Sequence, residues 1–257
     1  MKTNTVSLTL IDGPTLLIEF GGLRFLTDPT FDEPQVFSSA GATERKLNSP
    51  PVSAESLLPI DAVLLSHDQH LDNLDPAGRA FLPKAGKVIS TIDAAERLGG
   101  NTEGLAPWSS TEMSLSDGRT LTVTATPARH GPVGIEPVTG HVTGFVLSIK
   151  GSRDVYVSGD TVWFSGLAAI AHRFDVGVAI LFAGAAQPRG PFNVTMDSND
   201  AIEAATLFSG AKIVAIHNLG WSHYTQNQQD LVRAFEVVDI GGRLEELSPA
   251  VRVSIEI

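Results

Sequence analysis

Cysteine is absent from the 257 residues, and its absence removes three chemistries at once. No disulfide can form, no thiolate can hold a metal, and no cysteine can serve as a nucleophile. Basic runs are lacking as well: 18 Lys and Arg stand against 29 Asp and Glu, for a formal net charge of -11. A nucleic-acid backbone selects basic patches, so that class of partner is excluded. No apolar stretch approaches the roughly 20 residues that cross a bilayer. Past Met1-Lys2-Thr3-Asn4, the segment Val6 to Leu10 alternates as a half-buried strand does, which is not the continuous apolar core of a secretion signal. Neither a Gly-x-Ser-x-Gly turn nor a phosphate-binding P-loop occurs, so serine hydrolases and nucleotide hydrolases lose support. The expectation is a cytoplasmic protein with a small-molecule partner, without nucleic acid or membrane, and with self-association left open.

What is present concentrates in one stretch. Ser66-His67-Asp68-Gln69-His70-Leu71-Asp72-Asn73-Leu74-Asp75 holds two histidines and three carboxylates directly after the apolar run Ala62-Val63-Leu64-Leu65. That run reads as a buried strand, and the carboxyl ends of strands are where layered α/β proteins carry their chemistry. Imidazole and carboxylate at this density suit a divalent metal of the Zn, Mn or Fe kind. The alternative is a solvated acidic helix start capped by Asp72 or Asp75.

Around this stretch the chain reads as two β-rich blocks, each followed by helices. Residues 5–27 predict three strands, turning at Asp12-Gly13-Pro14 and Gly21-Gly22. Residues 30–60, rich in Ser and Pro, read as a long covering loop. Further strands are expected at 87–90, 112–115, 120–126, 142–149, 153–158, 176–182 and 212–216. Helices are expected at 76–82, 91–98, 167–173 and 198–208. A last helix opens at Thr225, with Gln228 completing a capping box, and ends at Gly241-Gly242. No linker, repeat or low-complexity tract interrupts residues 1–257, so one domain of two packed sheets with helices outside is expected.

Three more strand exits deliver a histidine or a carboxylate. His130 lies in Pro127-Ala128-Arg129-His130-Gly131-Pro132 and reads as a ligand or a surface loop residue. Asp160 lies in Ser158-Gly159-Asp160-Thr161 and reads as a metal bridge or a helix cap. His217 ends the strand 212–216, with His223 nearby as an outer partner, a proton donor or a helix-start residue. Recurrence at four strand ends outweighs any single motif. His141, at a strand start, and His172, in a helix, are ranked below these.

Taken together, the sequence resembles the metallo-β-lactamase superfamily, in the branch of ascorbate-6-phosphate lactonase and the N-acyl-phosphatidylethanolamine phospholipase D-like hydrolases. Leu26-Thr27-Asp28-Pro29-Thr30-Phe31, residues 66–75, Thr126 to Gly131, Ser158 to Thr161 and Ile216 to His223 carry the likeness in order along nearly the whole chain. The resemblance implies an α/β, four-layer αββα sandwich with one or two metal ions at the sheet edge. It implies hydrolysis of an ester, lactone or phosphodiester by metal-bound hydroxide. It assigns His67, His70, Asp72, His130, Asp160 and His217 as ligands, with Asp160 bridging. Asp72 or Asp160 would orient or deprotonate water, and His223 would protonate the leaving group. Zn is the first expectation for the metal, with Mn or Fe as alternatives.

One motif departs from the pattern. The family's His-x-His-x-Asp-His maps onto 67–73 only with a one-residue insertion, so that Gln69 falls between the histidines and Asn73 replaces the last one. That exchange opens the alternatives of a single metal or of a harder one such as Mn. The same departure motivates the alternative of a degenerate member that binds a metal or small ligand without catalysis.

Overall fold

The computed structural model describes residues 5–39 and 42–257. Met1–Asn4, which enter the reading of the N-terminus, lie outside the described residues. The chain order is β1 (Thr5–Asp12), β2 (Thr15–Phe20), β3 (Leu23–Thr27), β4 (Gln35–Ser39), β5 (Ala42–Lys46), β6 (Ala62–Leu64), α1 (Pro76–Phe81), β7 (Lys87–Ser90), α2 (Ile92–Leu98) and β8 (Thr102–Gly104). It continues with β9 (Ser110–Ser114), β10 (Thr120–Pro127), α3 (Glu136–Thr139), β11 (Thr143–Ile149), β12 (Asp154–Val157), α4 (Gly166–Arg173) and β13 (Val176–Phe182). The last elements are α5 (Ser198–Leu207), β14 (Lys212–Ile216), α6 (Gln228–Val237), β15 (Leu244–Glu245) and β16 (Arg252–Glu256).

Two seven-stranded sheets form, in the orders β16-β1-β2-β3-β6-β7-β8 and β15-β14-β13-β12-β11-β10-β9. Each is antiparallel over its hairpins and parallel where the chain crosses over: β3, β6, β7 and β8 run parallel, as do β12, β13, β14 and β15. Strand β13 shows why this becomes four layers. Val178, Ile180 and Phe182 enter the core between the sheets, while Val176, Ala179 and Leu181 pack outward on α4, α5 and α6. A strand buried on both faces needs apolar residues at every position, which is why 176–182 is one continuous apolar run. In β6 the same alternation sends Ala62 and Leu64 inward and Val63 outward toward Phe81 of α1. Helices thus cover both outer faces, and the architecture is αββα.

Parallel strands deliver their carboxyl ends to one edge. In the second sheet β10, β12, β13 and β14 all point the same way, because β10 and β12 are each antiparallel to β11. In the first sheet β3 and β6 share a direction. The loops after these strands therefore meet at one rim.

Several expectations need correction. Residues 30–60 are not one loop, because β4 and β5 pair as a separate hairpin and Ala54–Leu57 makes a 3-10 turn. Polar alternation in Thr43-Glu44-Arg45-Lys46 hid a strand in which Glu44 and Lys46 are buried while Thr43 and Arg45 are exposed. The final helix starts at Gln228, not at Thr225. Its cap is Asn227, reciprocated by Asp230, and it stops at Val237 well before Gly241. Asp160 caps no helix, since α4 begins six residues later behind Ser165. The short strands β8, β15 and β16 carried too few apolar residues to be read. Among the described residues no helix is long and apolar enough to cross a membrane.

Candidate metal centre

At the rim, the exit of β6 supplies His67, His70 and Asp72, that of β10 supplies His130, that of β12 Asp160, and that of β14 His217. Ligand atoms of His67, His70, His130 and Asp160 all lie within 4.8 Å of one another, as do those of Asp72, Asp160 and His217. Asp160 belongs to both groups. The insertion in the first motif places His67 and His70 three apart, and their rings meet edge to face with centroids 4.7 Å apart.

Hydrogen bonds decide the imidazole tautomers. Ser66 donates its backbone N–H (2.6 Å) and its hydroxyl (2.6 Å) to the buried Asp28, so Ser66 Oγ accepts the Nδ1 proton of His67 (2.9 Å). His130 Nδ1 donates to the Val194 carbonyl (2.7 Å). Both Nε2 atoms are then bare lone pairs. They converge on His70 Nδ1, at 2.8 and 3.0 Å. One proton on His70 can serve one of them and never both. Burial, then the neighbouring rings, holds His67 far below the usual imidazole range and His130 down at about 3. Burial lowers His70 too. Three neutral rings beside a carboxylate form a nitrogen-rich donor set that fits a divalent metal ion.

The second group is held from outside. His217 adopts a left-handed backbone (φ 59°), which costs a non-glycine residue about 1–2 kcal/mol. Its ring stacks on Phe182, and its Nε2 lies 3.4 Å from both Asp72 Oδ2 and Asp160 Oδ1. Among the described residues neither ring nitrogen of His217 has a hydrogen-bond partner. His223 Nε2 donates to Asp72 Oδ2 (2.8 Å) and the Tyr224 hydroxyl joins at 3.3 Å. Burial works against ionisation of Asp72, yet His223 and His217 hold it well below the usual carboxylate range. Asp160 goes the other way: burial, then Asp72 and Asp28, push it well above. Two carboxylates this close ionise together only with a cation between them. The donors present fit divalent metal ions.

The hairpin β4–β5 closes one side. Buried Lys46 reaches Asp75 Oδ2 (3.1 Å) and Asp12 Oδ2 (3.8 Å), and Phe37 stacks on Trp221. Ser222 N–H donates to the Arg45 carbonyl (3.0 Å), which fixes the loop bearing His223. Glu44, 8% exposed, lines a cavity of about 240 Å³ together with His70, Asp72, His130, Asp160 and the apolar Leu71, Val138 and Pro188. Its carboxylate has no hydrogen bond or ion pair among the described residues, and burial, then Asp72, raises it to about 7. Sequence reading assigned no role to Asp28, Ser66, Glu44, Arg189 or Tyr224. For Asp28 and Ser66 the signal was their place in the strand-end segments, whereas Glu44 needed the hairpin. His141 pairs with Asp93 in an exposed contact and His172 is exposed on α4, so both lie outside the centre.

Comparison with known proteins agrees with this architecture. Residues 23–218 match the Beta-lactamase superfamily domain. The UPF0173 protein YddR of Bacillus subtilis is 27% identical over 239 residues, covering 88% of this chain and 91% of its own. The N-acyl-phosphatidylethanolamine-hydrolyzing phospholipase D 1 of Caenorhabditis elegans is 26% identical over 260 residues, covering 93% and 72%. The isothiocyanate hydrolase from Delia radicum gut bacteria superposes with a TM-score of 0.84 at 24% identity over 97% of this chain and 99% of that one, a likeness of fold. With two sheets, their covering helices and a family match over residues 23–218, the chain belongs to the metallo-β-lactamase superfamily.

Proposed function

We propose that the protein is a metal-dependent hydrolase that adds water across an ester, lactone or phosphodiester bond of a compact small molecule. The carrying observation is the convergence of bare His67 Nε2 and His130 Nε2 on His70 Nδ1, next to the shared carboxylate Asp160. Divalent ions held there supply Lewis acidity and make water nucleophilic near neutral pH.

The chain's own residues have separable tasks. Ser66 and Asp28 orient His67, and the Val194 carbonyl orients His130. His223 and Tyr224 orient Asp72. The leaving-group acid assigned to His223 has a competitor. Both residues line the cavity, but His223 Nε2 is engaged with Asp72, whereas the Glu44 carboxyl has no hydrogen bond among the described residues and can hold a proton near neutrality. Apolar Leu71, Val138 and Pro188 limit the water around the reacting bond.

A second reading, a member that holds metal and ligand without turnover, is favoured by Asn73 in place of the motif's last histidine. Two measurements separate the readings: elemental analysis of protein purified without added metal or chelator, and hydrolysis of a panel of esters, lactones, phosphodiesters and isothiocyanates. Isothiocyanates enter because of the structural neighbour that hydrolyses them. A hydrolase binds metal, turns over one class, and loses that turnover in His130→Ala and His217→Ala. Metal uptake with no turnover of any class overturns the first reading in favour of the second.

A further inference from the structure

The two donor groups are unequal. His67, His70 and His130 give the first group three imidazole nitrogens besides the shared Asp160, whereas the second has Asp72, the same Asp160 and one imidazole, His217. The difference traces to position 73, the place of the motif's last histidine.

Asn73 is fully buried, and its amide nitrogen is already engaged, while among the described residues Oδ1 has no hydrogen-bond partner. Nδ2 donates to Asp28 Oδ2 (3.0 Å) and to Asp160 Oδ1 (3.2 Å). An amide that donates to the shared carboxylate presents its N–H to the centre. It therefore acts as a positioning residue for Asp160 and ties that carboxylate to the Asp28–Ser66 pair that also orients His67. Asp72 Oδ2, in turn, already accepts from His223 and Tyr224, so part of its electron density is spent before any cation arrives.

We propose that the protein holds two metal ions of different chemistry: a tightly bound zinc-type ion at His67–His70–His130–Asp160, and a weakly bound, exchangeable, harder ion of the Mn²⁺ type at Asp72–Asp160–His217. Imidazole-rich sets favour Zn, and oxygen-rich sets completed by water suit Mn. Loss of an outer hydrogen-bonding partner alone costs about 10–100-fold in metal affinity, so a missing ring ligand separates the two positions by at least about 100-fold. The inference rests on the reading of the rim as a metal centre, but it does not depend on turnover.

The test uses the full chain, stripped by a chelator and dialysed, with the metals alone as probes. Zn²⁺ titration against a competing indicator is expected to show one tight equivalent and a second at least about 100-fold weaker. With one Zn²⁺ in place, Mn²⁺ followed by its paramagnetic resonance is expected to bind as one equivalent without releasing zinc. Asn73→His is expected to tighten the second Zn²⁺ step at least tenfold and to raise its preference for Zn²⁺ over Mn²⁺. Thermal melting checks that the variant is folded, and the wild-type titrations decide even if it is not. Two Zn²⁺ steps of equal affinity in the wild type, or a second position that rejects Mn²⁺, overturn the inference and leave the hydrolase reading intact. No metal uptake at either position overturns both.

Discussion

His223 Nε2 stands 2.8 Å from Asp72 Oδ2 although 151 residues separate them, and the pair joins the loop after β14 to the exit of β6. The contact orients one carboxylate of the centre. His223→Ala should therefore weaken the Asp72–His217 position about 10–100-fold while leaving the first zinc equivalent in place. Metal analysis after gel filtration reads both. Equal loss from the two positions would show a general collapse of the rim instead.

Glu44 should matter according to the leaving group. In Glu44→Gln, hydrolysis of substrates with basic, alkoxide-type leaving groups is expected to fall about 100-fold or more, the usual scale of general acid catalysis. Leaving groups such as 4-nitrophenolate need no proton and should be nearly spared. A parallel fall for both classes would reduce Glu44 to a packing role.

Gly184 lies against the His217 carbonyl, where a Cβ would come closer than any real contact allows. Gly184→Ala should displace the already left-handed His217 and cost about 1–3 kcal/mol of stability, as overpacking does. Urea denaturation measures the cost. An unchanged midpoint would mean that the loop after β14 yields freely.

Buried Asp12 gives a pH dependence with a definite sign. Burial, opposed by Lys46, raises its pKa to about 6 from 3.8. A folded value above the unfolded one means that its contribution is fully present below about pH 3.8 and is lost as pH rises through about 6. At one pKa unit per 1.36 kcal/mol, the loss amounts to about 3 kcal/mol. Relative to wild type, Asp12→Asn should therefore gain that much stability between acid and neutral pH, as read from denaturation at several pH values. A pH-independent difference would show that Asp12 keeps its ordinary pKa in the fold.

The centre was legible in the sequence to the extent that it was local. Two histidines and Asp72 within one strand exit, and a histidine or aspartate at three others, are patterns that strand periodicity and turn residues expose. The insertion at Gln69 is what the resemblance implies, because only one alignment to the family's motif keeps two histidines and an aspartate. The hairpin bearing Glu44 escaped, since a two-stranded ribbon over a rim buries few side chains and leaves no apolar period. The cap at Asn227 escaped because Thr225 offered an equally good local signal, and that hydroxyl instead donates to the Ala185 carbonyl.

The sequence by itself determined the layers and the chemical types available, because the order of apolar runs and the lack of cysteine hold in any conformation. Only the tertiary structure decided which lone pairs face one another. The tautomers of His67 and His130 depend on Ser66, Asp28 and the Val194 carbonyl, and the restraint on Asp160 depends on Asn73, 87 residues away. Hydrogen bonds act over about 3 Å, and only the crossing of two sheets brings such distant residues within that range.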